Sequence, residues 1–106
     1  DMMRTEETGC TFAFDKGRAT LVQAIGRDVA IRTAQGPSLC RIDQAQVDAF
    51  ADSKRPLTCG GHTLRLRKTG AATHYPEADS SGWPATLTVT RGKASQTLRG
   101  IAGVAC

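Results

Sequence analysis

Aromatic residues are scarce in this chain of 106 residues, which contains three Phe, one Tyr and one Trp. A chain of this length has room for one domain with a modest core. Aliphatic side chains must therefore supply most of the burial, at roughly 25 cal/mol per Å² of apolar surface. The sequence also lacks any apolar run of the roughly 18 residues that a membrane-spanning helix needs.

Common catalytic and metal-binding motifs are absent as well. The sequence has no GxSxG, HExxH or phosphate-binding loop signature. No two cysteines have CxxC spacing, which argues against a zinc or redox site. His74, Glu77 and Asp79 lie close together in sequence, but no third soft ligand is nearby. We therefore expect neither a metal ion nor another cofactor.

Four cysteines are present, and an even number in a short chain indicates two disulfide bonds and an oxidising compartment. Of the three possible connectivities we favour Cys40–Cys59 with Cys10–Cys106. The first bond would hold a short helix against its neighbours, and the second would join the two ends of the domain. These bonds predict a secreted or periplasmic protein, or an outer-membrane lipoprotein in its full-length precursor.

Short runs of alternating apolar and polar residues indicate strands over most of the chain. The predicted strands cover residues 11–14, 19–25, 29–33, 38–42, 62–68, 85–90 and 96–101. Between them, Asp43 is suited to cap a helix over Gln44–Ser53, and Pro56 prevents its continuation. We predict a mainly β or α+β fold, a small antiparallel barrel or sandwich of about seven strands with one short helix. Residues 1–9 are predicted as a flexible lead-in, and residues 10–106 as a single domain.

The segment KTGAATHYPEADSSGWP, residues 68–84, shows neither strand nor helix periodicity and is predicted as a loop. It contains the only Tyr, the only Trp, one of the two His, and the only two acidic residues after residue 52. Two prolines stiffen it, and Tyr and Trp are enriched where proteins bind partners. The predicted partner-binding residues are Thr69, His74, Tyr75, Glu77, Asp79 and Trp83. The alternative is that Tyr75 and Trp83 merely cover one end of the barrel.

Basic residues dominate the second half of the chain. Residues 54–106 contain eight Lys or Arg and two acidic residues, whereas residues 1–53 contain six Lys or Arg and eight acidic residues. Such a surface attracts anionic polysaccharide or lipid, and the predicted anion-binding residues are Arg65, Arg67, Lys68, Arg91 and Lys93, with Arg99 nearby. No aromatic platforms lie among them, which argues against binding of nucleic acid. The alternative is an ordinary solvated face.

Two histidines allow a third function, a small secreted hydrolase of the ribonuclease kind that uses His62 or His74 as acid and base. The sequence gives no reason for the two side chains to meet, because His62 begins a predicted strand and His74 lies in the predicted loop.

Cysteines at both ends of a small β domain, together with Thr69-Gly70-Ala71-Ala72-Thr73-His74-Tyr75 and a later Trp83, resemble the bacterial membrane-bound or periplasmic inhibitors of C-type lysozyme. In that family a Ser-Gly loop ending in Tyr enters the lysozyme cleft. Here Thr69 replaces the Ser, the spacing to Tyr75 is longer, and Arg91-Gly92 follows Trp83 at a greater distance. The resemblance implies a non-enzymatic inhibitor or immunity-type protein that occludes the cleft of a secreted cell-wall hydrolase.

Overall fold

Strands account for most of the computed structural model, which describes residues 11–33 and 36–105. The strands are β1 Thr11–Lys16, β2 Ala19–Ile25, β3 Asp28–Thr33, β4 Gly36–Arg41, β5 Leu57–Cys59, β6 His62–Lys68, β7 Thr73–Tyr75, β8 Ser80–Arg91 and β9 Ala94–Ala105. One α-helix, α1 Gln44–Ala51, separates β4 from β5, and a short 3₁₀ helix covers Pro76–Ala78. The described part of the chain thus has nine strands rather than the predicted seven. None of its helical segments has the length and apolarity needed to traverse a bilayer.

The nine strands form one antiparallel sheet. Eight of them follow the order β4-β3-β2-β1-β9-β8-β6-β5 and curl into a nearly closed barrel, and β7 pairs with β8 outside this order. The disulfide Cys40–Cys59 joins the two strands at the ends of this order, with Cα atoms 5.6 Å apart. It confirms the predicted Cys40–Cys59 pair. The other predicted pair, Cys10–Cys106, lies outside the described residues.

The two ends of the barrel differ. At one end, here called the turn end, two-residue turns connect β1 to β2, β5 to β6 and β8 to β9. The β5–β6 turn is Gly60-Gly61, with φ of 58° and 80° at its two residues, a conformation that glycine adopts without steric cost. A Cβ on Gly60 would also come within 2.8 Å of the Ser38 side chain on β4. Glycine is therefore needed here for both the turn and the closure of the barrel.

The opposite end, here called the helix end, is covered by α1, whose buried residues are Val47, Phe50 and Ala51. Phe50 packs edge-on against Phe12 of β1, with ring centroids 5.5 Å apart. Asp43 occupies the predicted N-cap position, but its side chain makes no capping hydrogen bond. Its backbone carbonyl instead accepts from the N–H groups of Gln46 and Val47. The helix ends at Ala51, two residues before the predicted end at Ser53.

The core fills the barrel between these ends. It consists of every second residue along the strands, because successive side chains of a strand point to opposite faces. Phe14, Leu64, Leu87 and Ala102 are at most 1% exposed. One polar side chain lies among them: His62 is 4% exposed, and neither of its ring nitrogens has a hydrogen-bond partner among the described residues.

Candidate functional site

The segment predicted as a loop is instead a β-hairpin that extends from the helix end of the barrel. Strand β7 pairs with the start of β8 in antiparallel register, with Thr73 opposite Gly82 and Tyr75 opposite Ser80. The 3₁₀ turn Pro76–Ala78 and then Asp79 connect the two strands. Residues 73–82 are named the exposed hairpin below. The prediction of a loop over residues 68–84 was therefore wrong for Thr73–Tyr75 and from Ser80 onward, which are strands.

Several contacts fix the exposed hairpin relative to the barrel. Strand β8 pairs with β9 over its whole length, from Ser80–Ala105 to Arg91–Ala94, so the base of the hairpin belongs to a continuous strand pair. The N–H of Thr69 donates to the carbonyl of Pro84 at 2.9 Å and closes the connection from β6. Thr69 therefore has a structural role at the base of the hairpin. These bonds make the hairpin an extension of the sheet.

The tip of the exposed hairpin is a tight turn that places its two carboxylates outward. Asp79 has φ of 50°, a left-handed conformation that Asp tolerates better than most residues. Its N–H donates to the carbonyl of Pro76 at 3.2 Å. Every residue from 71 to 79 is exposed, including Glu77, and Tyr75 retains 53% of its accessible surface. A large aromatic side chain and two carboxylates therefore stand together on a defined backbone.

Trp83 does not share the face that Tyr75 occupies. Tyr75 is opposite Ser80, whose side chain lies on the outer face of β8, whereas Trp83 alternates to the inner face with Ala85. Trp83 is half-buried and packs against the core, and its indole N–H has no partner among the described residues. The two aromatic residues predicted as joint anchors are thus separated, and Tyr75 remains as the exposed one.

His74 lies on the inner side of the hairpin, where its Nδ1 is 3.0 Å from Oγ of Ser81. The donor in this hydrogen bond depends on the imidazole tautomer. Ser81 was not among the predicted site residues. The alternation of Ser81, Trp83, Ala85 and Leu87 carries the β8 pattern back to residue 81 and was the signal that could have found it.

The two histidines are too far apart to act as an acid–base pair. His74 is opposite Ser81 on β8, whereas His62 precedes Thr63, which is opposite Thr90. Ser81 and Thr90 are nine positions apart on one strand, or about 30 Å at roughly 3.3 Å per residue. His62 is buried near the turn end, and His74 is exposed on the hairpin. A ribonuclease-like mechanism that uses both groups has no geometric basis in this chain.

The predicted anion-binding residues fall into separate groups. Arg65 and Arg67 are exposed on the outer face of β6. Arg67 shares a cross-strand row with Thr86 and Arg99, which places the two arginine Cα atoms about 10 Å apart. Lys68 alternates to the other face of β6. Arg91 and Lys93 lie at the β8–β9 turn, so one continuous stripe is not formed.

Hydroxyl groups fill the outer face between the arginines. Thr88 and Thr97 are 3.0 Å apart through their Oγ1 atoms, and Thr90 lies 3.3 Å from Ser95 in the next row. The only ion pair in the described part of the chain is Arg41–Asp28, at 3.8 Å on another face. Arg65, Arg67 and Arg99 therefore form no ion pair with any carboxylate of residues 11–33 and 36–105.

The described residues contain no group of three or more His, Cys, Asp or Glu side chains placed to hold a metal ion. Comparison with known proteins finds no matching family model, no matching curated protein and no matching solved structure. The resemblance to lysozyme inhibitors therefore stays a hypothesis based on the residues of the hairpin segment.

Proposed function

We propose that this protein is a non-enzymatic inhibitor that inserts the exposed hairpin into the cleft of a secreted or periplasmic cell-wall hydrolase, such as a C-type lysozyme. The observation behind this proposal is that residues 73–79 are all exposed on a hairpin held by the sheet. A structure that is already ordered loses less entropy on docking than a flexible loop. Tyr75 would be the central anchor, since Tyr is enriched at interface hot spots.

Charge supports a cationic partner at this end of the molecule. Glu77 and Asp79 are the only acidic residues after residue 52, and both lie at the tip of the hairpin. The basic surface of a cationic hydrolase around its cleft would attract these two carboxylates, whereas it would repel the rest of a +4 protein. Complementarity of this local kind contributes to orientation more than to affinity. The Cys40–Cys59 bond is compatible with an oxidising compartment, where such a hydrolase acts.

The test is inhibition of a purified C-type lysozyme by the full chain and by single variants. We expect Tyr75→Ala to weaken inhibition by at least about 30-fold, which corresponds to roughly 2 kcal/mol for a hot-spot residue. Glu77→Gln with Asp79→Asn should lower the association rate, and Asn tolerates the left-handed backbone at position 79. Leu39→Ala and Asp43→Asn are matched controls, because both residues are exposed and neither lies in the hairpin or in a strand paired with it.

A shortened variant separates the role of the hairpin from the identity of the partner. Replacing residues 71–82 by Asn-Gly would join Gly70 to Trp83 through a two-residue turn, because Thr69 and Pro84 are already hydrogen-bonded neighbours. Binding partners captured from envelope extracts by the native chain should be lost with this variant. Equal inhibition by Tyr75→Ala and the native chain would contradict the proposed anchor. Capture that survives the shortening would contradict the hairpin as the binding element.

A second candidate is binding of an anionic envelope polymer or lipid by the outer face that contains Arg65, Arg67 and Arg99. The observation that favours it is a face of arginines and hydroxyl groups on which the described strands place no carboxylate. Retention on a heparin column should then fall steeply with salt. It should also fall in the Arg65→Ala, Arg67→Ala variant and not in the Arg27→Ala, Arg55→Ala variant, which removes the same charge at the helix end. Retention that both arginine variants reduce equally would indicate net charge alone.

A further inference from the structure

A cavity of about 300 Å³ opens at the turn end of the barrel, opposite the exposed hairpin. Its walls come from the inner sides of β2 and β3 and, across the barrel, of β8 and β9. The wall residues are aliphatic: Leu21, Val22, Ile31, Leu87, Val89 and Leu98. Polar residues complete the lining: Lys16, Arg32 and Gln96. Mouths of β-barrels with apolar walls and a few polar groups are common positions for small ligands.

Two features of the strands produce this cavity. The β1–β9 ladder stops at Asp15–Ile101, whereas the β8–β9 ladder continues to Arg91–Ala94. The first residues of β9, 94–100, therefore extend past β1 and leave the barrel wall open there. On the other side, a shift of register between Phe14 and Asp15 places an extra residue, Leu21, in β2. This β-bulge lets Leu21 pack against the core beside Val22.

Positive charge is concentrated around the opening. The basic residues at the turn end are Lys16, Arg18, Arg32, Arg91 and Lys93, whereas Asp15 is the only acidic residue there in the described part of the chain. Lys16 and Arg32 line the cavity itself, and neither forms an ion pair within the described part of the chain. Asp15 accepts a hydrogen bond from Thr20 at 2.7 Å. The opening thus has an aliphatic interior and an excess of cations at its rim.

We propose that this cavity binds a single-chain anionic amphiphile, a carboxylate with a medium-length aliphatic chain. The chain would lie between Leu87, Val89 and Leu98 on one side and Leu21 on the other, with the carboxylate between Lys16 and Arg32. The volume is at the lower limit of known ligand cavities, which begin at roughly 300 Å³, so a polymer or a two-chain lipid does not fit. A neutral apolar ligand would leave the two rim cations without a function.

The experiment is calorimetric titration of the full chain with hexanoate, octanoate and decanoate, each below its micelle concentration. The dissociation constant should fall by about fourfold per added methylene until the cavity is full. Octanoate should bind more tightly than 1-octanol, and Lys16→Gln with Arg32→Gln should weaken octanoate and leave octanol unchanged. Arg65→Gln with Arg67→Gln is the matched control, because it removes the same charge from another face.

Blocking the cavity tests its position. Leu98→Phe should abolish binding of decanoate, whereas Leu39→Phe on the outer surface should not. If Leu98→Phe does not fold, methyl NMR shifts of the native chain give the same information, because decanoate should move the signals of Leu87, Val89 and Leu98. No saturable binding of any carboxylate, or shifts confined to other residues, would overturn the proposal. Tyr75→Ala should bind decanoate normally, so this result is independent of the hairpin's function.

Discussion

The Cys40–Cys59 disulfide joins the two strands at which the sheet begins and ends, and its removal is the most direct test of the barrel. These strands, β4 and β5, face each other across the remaining gap, and no β4–β5 ladder connects them. Replacing both cysteines by Ala removes the cross-link and leaves the other cysteines unchanged. Ala is preferable to Ser, because Cys59 is 2% exposed and a buried hydroxyl without a partner is costly.

The size of the effect follows from the length of chain that the bond closes. The two cysteines are 19 residues apart, and in the loop-entropy description a loop of that length contributes about 3 kcal/mol to the free energy of unfolding. In a domain of about 100 residues each kcal/mol shifts Tm by roughly 4–8 °C. The expected decrease in Tm is therefore roughly 12–24 °C.

Chemical denaturation followed by circular dichroism measures the change in free energy, and hydrogen exchange locates it. Protection should decrease first in β4 and β5, which each have a strand neighbour on one side only. The control is Leu39→Ala with Thr58→Ala, because these exposed residues adjoin the cysteines in sequence and should change stability by less than about 0.5 kcal/mol. A Cys40→Ala, Cys59→Ala variant that unfolds at the same denaturant concentration as the native chain would refute the reasoning.

Two further substitutions test the packing inside the barrel. Gly100→Ala should destabilise the protein by about 1–3 kcal/mol in the same denaturation assay. A Cβ at this position would collide with the carbonyl oxygen of Asp15 and come within 2.8 Å of Phe14 Cζ. Gly82→Ala is the control, because the nearest contact of its Cβ is at 3.6 Å. His62→Leu should leave the free energy of unfolding unchanged or raise it by about 1 kcal/mol, since it removes buried nitrogens that have no partner among the described residues. A decrease of more than about 2 kcal/mol in the free energy of unfolding would show that the imidazole has a partner such as a bound water.

The local sequence pattern was sufficient to predict a strand where the strand is long and one of its faces is buried. Residues 19–25 and 62–68 were predicted as strands at the bounds that the structure has. Their alternation is regular because inward residues such as Leu64 and Leu66 meet the core and outward ones meet water. The Cys40–Cys59 pair was also predicted correctly, from the position of the two cysteines on either side of the helix.

Strand β7 and the start of β8 were not predicted from the sequence, because they depend on pairing between distant parts of the chain. Strand β7 has three residues, all exposed, and therefore shows no alternation. The start of β8 is rich in Ser, Gly and Pro, which have low strand propensity, yet β9 pairs with it from Ser80 onward. The one local signal was the alternation of Trp83, Ala85 and Leu87, which indicates that Trp83 faces inward. The exposure of Tyr75, Glu77 and Asp79 was expected and is found.

This difference between a loop and a hairpin changes the energetics of the proposed docking. Fixing the backbone of a flexible residue costs roughly 1–2 kcal/mol, so a structureless segment of residues 69–84 would lose much of its interaction energy on binding. In the hairpin, β7 and β8 are ordered when the chain folds, and the Thr69–Pro84 hydrogen bond holds the base. Disrupting this pairing should therefore weaken partner binding even when Tyr75 and both carboxylates are kept. Shape and stiffness, and not only the exposed side chains, would then define the recognition element.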